Sequence, residues 1–505
     1  MARPDTVTGK ELESRGLFAE ARAHYEQALS IAGDDAALLQ DYVRLCIRIG
    51  DHAAAVAPLQ RLLRLQPTPS AQGLLARLLV RLGRDDEAVP HLKAMLRAHP
   101  EDGQGWLQLA AALLKSHDLK AALQCAAEAD RLAPAERALD IALECLGTMG
   151  MRDEVEQCLA DAERRYPDSD MLKAHRGVHL LRQGQIAEGL TLQPYIRARL
   201  SPRLPEDMAI AAARWDGKPF AGVLLVSGEQ GLGEQILGAS FLSLLTPIRQ
   251  RAVVECDARL VPVFRRSFPS LTFWPAQPGN ARRLAADGTT VKRTRMLDLP
   301  PLLSGGQAFR QPERWLFADP ERTASIRERY ERAWPGRTFI GISWRSVREI
   351  RGNQWKSLPP QSFLPLVSLP GAVVFDIQYG SHEEERRWPV AQGSPALERD
   401  SQIDPLEDLD GLLAQMCALD AVVTVSNSTA HLAGAAGLHA DVILPPDPPT
   451  NVYWCYEGSR TPMYPSLRLW RPGAFASTNA LFDALTQDLH KRIPHLGGGV
   501  SVQRE

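Results

Sequence analysis

The chain has 505 residues, several times the length of one domain, so two or three packed units are expected, each with its own core. Lys and Arg number 58 against 60 Asp and Glu, and the net charge of −2 argues against nucleic acid or an anionic membrane as the main partner. The opening MARPDTVTGKELESRG lacks the basic-then-apolar layout of a secretion signal, and no apolar run approaches the roughly 20 residues that span a bilayer. A soluble chain without a membrane span is expected. The cysteines (Cys46, Cys125, Cys145, Cys158, Cys256, Cys417, Cys455) are scattered and never form a CxxC pair, which fits reduced thiols in the cytoplasm better than disulfides or a metal site.

The first 200 residues contain an internal repeat. Gly50, Gly83, Gly150 and Gly184 mark a register that His117 completes, in steps of 33 or 34 residues. Ala55, Ala88, Ala122 and Val155 lie five residues past successive marks, and Pro67, Pro100, Pro134 and Pro167 lie seventeen past. Gly16, Ala21, Tyr25 and Ala28 begin the same frame one period earlier. Glycine permits a tight turn between two helices, a small residue lets the second pack closely on the first, and proline ends the pair. Residues 8–200 resemble the tetratricopeptide repeat (TPR), an α-solenoid, with the last unit divergent. Such a solenoid curves into a surface that holds an extended peptide or a partner helix, or serves as a spacer or dimerisation element.

After SPRLPEDMAIAAARWDGKPF (201–220) the pattern changes to strands alternating with helices. AGVLLVSGEQGLGEQILGASFLSLL reads as an apolar strand, a glycine loop and an amphipathic helix, and RAVVECD as the next strand. TFIGISW (338–344), GAVVFDIQYG (371–380), LDAVVTVS (419–426) and ADVILPP (440–446) read as buried parallel strands. Two doubly wound Rossmann-like halves, 215–325 and 335–490, are expected, with ligands at the carboxyl ends of the strands.

Three loops there carry chemistry. Gly228-Glu229-Gln230-Gly231-Leu232-Gly233-Glu234 is glycine-rich but not GxGxxG, and its carboxylates oppose a pyrophosphate. Glu234 suits a general base facing an acceptor hydroxyl, or simply a favourable charge at a helix start. WRSVREIRGNQWKS supplies Arg345 and Lys356 at its ends, groups that neutralise a diphosphate; Arg348 and Arg351 between them read as solvated. VSNSTAHLAGAAG places Ser426, Asn427, Ser428, Thr429 and His431 at a helix start, where unpaired amides and partial positive charge attract phosphate. The same side chains can instead cap the helix, and His431 can be a structural histidine.

Together VSNSTAHLAGAAG, GEQGLGEQI, GISWRS, WKSLPP, FDIQYG and TPMYPSLRLWRP resemble bacterial TPR-glycosyltransferase fusions, some of them flagellin glycosyltransferases. Their catalytic part is related to the ADP-heptose lipopolysaccharide heptosyltransferases and has the GT-B fold of two Rossmann-like domains. The resemblance implies an inverting, metal-independent transferase whose C-terminal half binds a nucleotide sugar as co-substrate. Its donor site would comprise Arg345, Lys356, Gln378, Tyr379, Ser426, Asn427, Ser428 and Thr429. Gly228, Gly231 and Gly233 would face the acceptor, and Glu234 and His431 would be the catalytic pair. Relatives usually carry Asp where Glu234 stands, Asp-Thr where Ser426-Asn427 stand, and Trp where Met463 stands. Tyr453, Trp454, Tyr456 and Tyr464 offer stacking surfaces for a base or sugar, or core packing. Two other readings are open: a TPR scaffold with an inactive transferase-like region, and an oxidoreductase using Glu255 or Asp257 for ribose.

Overall fold

The computed structural model describes residues 4–200, 213–248, 251–303, 311–346, 357–380, 383–391, 393–445, 452–493 and 496. The chain divides into two compact units, Met1–Asp168 and Ser169–Glu505.

The first unit is a solenoid of helical hairpins: α1 (Pro4–Ser14), α2 (Phe18–Ala32), α3 (Ala36–Arg48), α4 (His52–Leu65), α5 (Pro69–Arg81), α6 (Asp85–Ala98), α7 (Gly103–Lys115), α8 (Leu119–Leu132), α9 (Glu136–Thr148) and α10 (Arg152–Arg165). The repeat marks sit where the physics requires them. Gly16, Gly50, Gly83 and Gly150 turn each hairpin with φ of 76, 79, 72 and 69°, and His117, in the same register, is driven to φ 60°. Ala21, Ala55, Ala88 and Ala122 are fully buried where paired helices meet. Pro67, Pro100, Pro134 and Pro167 each stand two residues past a helix end, where no further backbone donor is needed. Asp35, Asp51, Asp102 and Asp118 cap the following helices through their carboxylates.

The second unit opens with α11 (Asp170–Arg182), α12 (Ile186–Thr191) and α13 (Gln193–Leu200). Gly184 keeps the repeat's turn at φ 81°, yet Leu181, Ile186, Leu190 and Ile196 belong to the core of the α/β region that follows. The compact border therefore falls at residue 168, ahead of the end of the sequence repeat at 200.

Two parallel sheets follow. The first has the order β1-β5-β2-β3-β4, built from β1 (Ala213–Arg214), β2 (Val223–Ser227), β3 (Ala252–Cys256), β4 (Thr272–Pro275) and β5 (Val291–Arg295). The second has the order β10-β9-β8-β6-β7, from β6 (Thr338–Ser343), β7 (Ala372–Asp376), β8 (Ala421–Val425), β9 (Ala440–Ile443) and β10 (Arg468–Trp470). β2, β3, β6, β8 and β9 are buried along their whole length, as expected for strands covered on both faces. β1, β4, β5 and β10 have no such apolar run and escaped the sequence reading. Helix α14 (Leu232–Ala239) follows β2, and α15 (Ser428–Ala435) follows β8.

Leu224 and Ile236 of the first half share one core with Phe339, Leu412 and Ala430 of the second. Trp315, on the segment between the sheets, ties them together. Its indole N–H donates to Ile236 O at 2.8 Å, and its backbone N–H donates to Ala435 O at 2.8 Å. Arg259 donates to Leu406 O at 2.9 Å, and Arg266 pairs with Asp410. All seven cysteines are free, and burial pushes the Cys145 and Cys256 thiols up to about 12. Among the described residues no helix is long and apolar enough to cross a membrane.

Candidate functional site

The glycine loop leaves the carboxyl end of β2 and runs into α14. Gly228 heads the loop, Gly231 occupies the N-cap position, and Gly233 lies in the first turn. Gly233 has a specific reason to lack a side chain: a Cβ there would lie 2.5 Å from Cδ2 and 2.6 Å from Nε2 of His431. The two halves thus touch where glycine backbone meets an imidazole edge. Gly233→Ala is expected to cost about 1–3 kcal/mol by overpacking, read as a lower unfolding midpoint that His431→Ala partly restores.

The two carboxylates of this loop have different fates. Glu229 is buried, forms an ion pair with the equally buried Arg295 at 3.3 Å, and accepts from Leu297 N–H at 3.3 Å. It holds the loop to the end of β5. Glu234 is exposed, forms no ion pair among the described residues, and folds back so that Oε2 lies 3.3 Å from where a Gly231 Cβ would stand. Burial raises the Tyr453 phenol well above its ordinary range, and the Glu234 charge raises it further.

At the start of α15 the polar side chains divide sharply. Asn427 is the N-cap: its Oδ1 accepts from Thr429 N–H at 3.0 Å and Ala430 N–H at 3.4 Å. Its Nδ2 donates to Ser343 Oγ at 2.7 Å and Arg345 O at 3.2 Å, and Thr424 Oγ1 donates to its Oδ1 at 3.0 Å. Two of the amides expected to cradle phosphate, those of Thr429 and Ala430, are therefore covered by the protein's own asparagine. Ser426 Oγ accepts from the Trp454 indole at 2.7 Å, and the Thr429 hydroxyl is fully buried. Ser428 is half-buried, and its hydroxyl has no hydrogen bond among the described residues. His431 is 3 % exposed and lies 2.6 Å from the Tyr464 hydroxyl through Nδ1.

The loops after β6 and β7 meet this helix start. Gln378 Oε1 accepts from Ser343 Oγ, Trp344 N–H and Arg345 N–H at 3.0, 3.0 and 2.9 Å, and its Nε2 donates to Tyr379 O at 3.0 Å. It staples the two loops through Oε1, and one of its two Nε2 hydrogens is engaged by Tyr379 O. Tyr379 is half-buried beside it. The Arg345 guanidinium donates to Glu385 at 2.9 Å, in a half-exposed pair. Lys356, Arg348 and Arg351 lie outside the described residues.

Tyr453, Trp454 and Tyr464 are buried, with His431 packed edge-on against Tyr453 at 4.7 Å and Tyr464 at 5.4 Å, so these aromatics are core. Tyr456 bonds His179 Nδ1 at 3.0 Å. The residues considered for ribose are occupied as well. Glu255 accepts from Ser227 and Asn280, and Asp257 pairs with Arg259. Sequence reasoning missed Arg295, Trp315 and Tyr464's bond to His431; each depends on partners distant in the chain, which no local pattern marks.

The TPR register has independent support, because tetratricopeptide repeat family models match residues 12–78 and 69–112. Over 511 aligned residues the chain is 29% identical to Protein FlbA of Caulobacter vibrioides, covering 93% of this chain and 82% of FlbA. Among solved structures it is similar to YrrB, described as a TPR protein with an unusual peptide-binding site, at 20% identity and TM-score 0.30 over 34% of this chain and 90% of YrrB. It is also similar to MamA of Desulfovibrio magneticus RS-1, at 19% identity and TM-score 0.27 over 33% of this chain and 97% of that one. The N-terminal region carries tetratricopeptide repeats, and the chain as a whole is similar to FlbA.

Proposed function

We propose that the α/β region is a GT-B-type glycosyltransferase that moves a sugar from a nucleotide-sugar donor to an acceptor hydroxyl, and that the repeats hold the protein bearing that hydroxyl. The observation that carries this reading is Glu234: an exposed carboxylate without an ion-pair partner among the described residues, beside the Gly233–His431 contact between the two sheets. Glu234 takes the proton as the acceptor oxygen attacks the anomeric carbon. The bond from that carbon to the diphosphate breaks, its electron pair leaves with the phosphate, and configuration inverts.

The phosphate contacts follow the side chains that remain open. Ser428 donates its hydroxyl, and Arg345 exchanges Glu385 for phosphate, since a pair partly open to water holds its partners weakly. Asn427, Gln378 and Ser426 support the loops instead. Lys356, outside the described residues, stays a donor-site candidate. In the repeats, a groove of about 460 Å³ between α3, α4 and α5 has an apolar floor of Val43, Ile47, Leu59, Leu62 and Leu74 and suits a protein segment. On this reading the chain works in the cytoplasm, where nucleotide sugars are made, on a protein acceptor such as flagellin.

A second reading is specifically favoured by the Asn427 cap and the Arg345–Glu385 pair: a TPR scaffold whose α/β region no longer binds nucleotide. Thermal unfolding with UDP, ADP, GDP and CDP separates the two. At one hundred times Kd a ligand stabilises the folded state by about 2.7 kcal/mol, so the transferase reading predicts a higher midpoint with one of them. An unchanged midpoint with all four favours the scaffold.

A further inference from the structure

We infer that Tyr464 is a positioning residue: it holds His431 as the neutral imidazole protonated at Nε2 and seats that ring edge against the glycine loop that carries Glu234. The tautomer rests on geometry alone; its consequence for Glu234 rests on the transferase reading. Tyr464 is fully buried, and its hydroxyl has one hydrogen-bond partner among the described residues, His431 Nδ1 at 2.6 Å. Two arrangements of the shared proton are conceivable. If Nδ1 carried a hydrogen and donated to the phenol oxygen, the phenol's own hydrogen would be buried without an acceptor, a costly state. The phenol must therefore donate, Nδ1 must accept, and the ring hydrogen belongs on Nε2.

The surroundings leave neither ring free to turn. Tyr464 stacks on Trp315 at 5.5 Å and 24°, and a Cβ on Gly434 would strike its ring. His431 is bounded by Tyr453 at 4.7 Å and Trp454 at 5.5 Å. The remaining Cδ2–Nε2 edge abuts Gly233, whose neighbour is Glu234. Tyr464 thus acts on the carboxylate through His431 without touching it. His431 is accordingly a seat for the loop, and the proton transfer falls to Glu234 alone.

Imidazole NMR of the full chain labelled with nitrogen-15 histidine tests the tautomer, with His431→Gln identifying the resonance. The expected wild-type spectrum at neutral pH is that of neutral imidazole protonated at Nε2, and Tyr464→Phe, which keeps the ring packing, loses that pattern. Imidazolium or the Nδ1–H tautomer in the wild type, or an unchanged spectrum in Tyr464→Phe, overturns the assignment. Amide exchange tests the positioning. Tyr464→Phe should speed exchange in residues 228–235 and leave β3 and β9 at wild-type rates; unaltered exchange in the loop overturns it. Neither readout contains nucleotide, so a chain that binds none refutes the transferase reading while these two results stand separately.

Discussion

Asn427→Ala is expected to destabilise the α/β unit by about 3 kcal/mol. The cap itself contributes about 1 kcal/mol, and the substitution also leaves the Arg345 carbonyl and the Ser343 and Thr424 hydroxyls without the partner that answered them. Those losses fall in a buried site, where the absent bonds are not replaced by water. Asn427→Asp should fall between alanine and wild type, because a carboxylate still accepts from the Thr429 and Ala430 amides but has no hydrogen to give Ser343 or Arg345. The check is the unfolding transition of the α/β unit, resolved from that of the repeats, since the chain has two compact units. Equal stability of Asn427→Ala and wild type would mean that the amides of α15 are open, and the phosphate cradle expected from sequence would return.

The second large effect concerns the buried pair beneath the glycine loop. Glu229→Gln or Arg295→Leu, each made alone, is expected to cost about 3–5 kcal/mol, because either breaks an ion pair between side chains only 7 % exposed. Replacing both members together with uncharged groups of similar volume should cost clearly less than the sum of the singles. Ser227 at the end of β2 pairs in register with Arg295 at the end of β5, so the ion pair fixes the loop at the point where it leaves the sheet. Denaturation midpoints of the two singles and the double measure it.

The legible parts of this sequence were those in which one residue's role depends on its near neighbours. The hairpin marks at Gly50, Gly83 and Gly150 could be read because a left-handed turn demands them locally, and even His117 took that backbone. The fully buried strands β2, β6 and β8 announced themselves as apolar runs bounded by loops. At the candidate site the deciding partners are distant in sequence. Whether Asn427 faces a ligand or caps its own helix is settled by Ser343, eighty-four residues earlier, and Gln378 by the loop at 343–345. Tyr464 looked equally suited to stacking on a base, and only its burial beside His431 and Trp315 decided for the core. Trp315 carried no motif at all, because its function is to join elements that the pattern had separated.

A crystal structure of the full chain with the nucleoside diphosphate that most raises its unfolding midpoint addresses the central proposal directly. The account predicts phosphate oxygens on Ser428 and Arg345, Glu385 displaced from the guanidinium, Asn427 still on its two amides, and Glu234 facing the space beside the terminal phosphate. A nucleotide bound away from both the 228–234 and 426–431 segments, or one for which Asn427 has swung off the helix start, would contradict it.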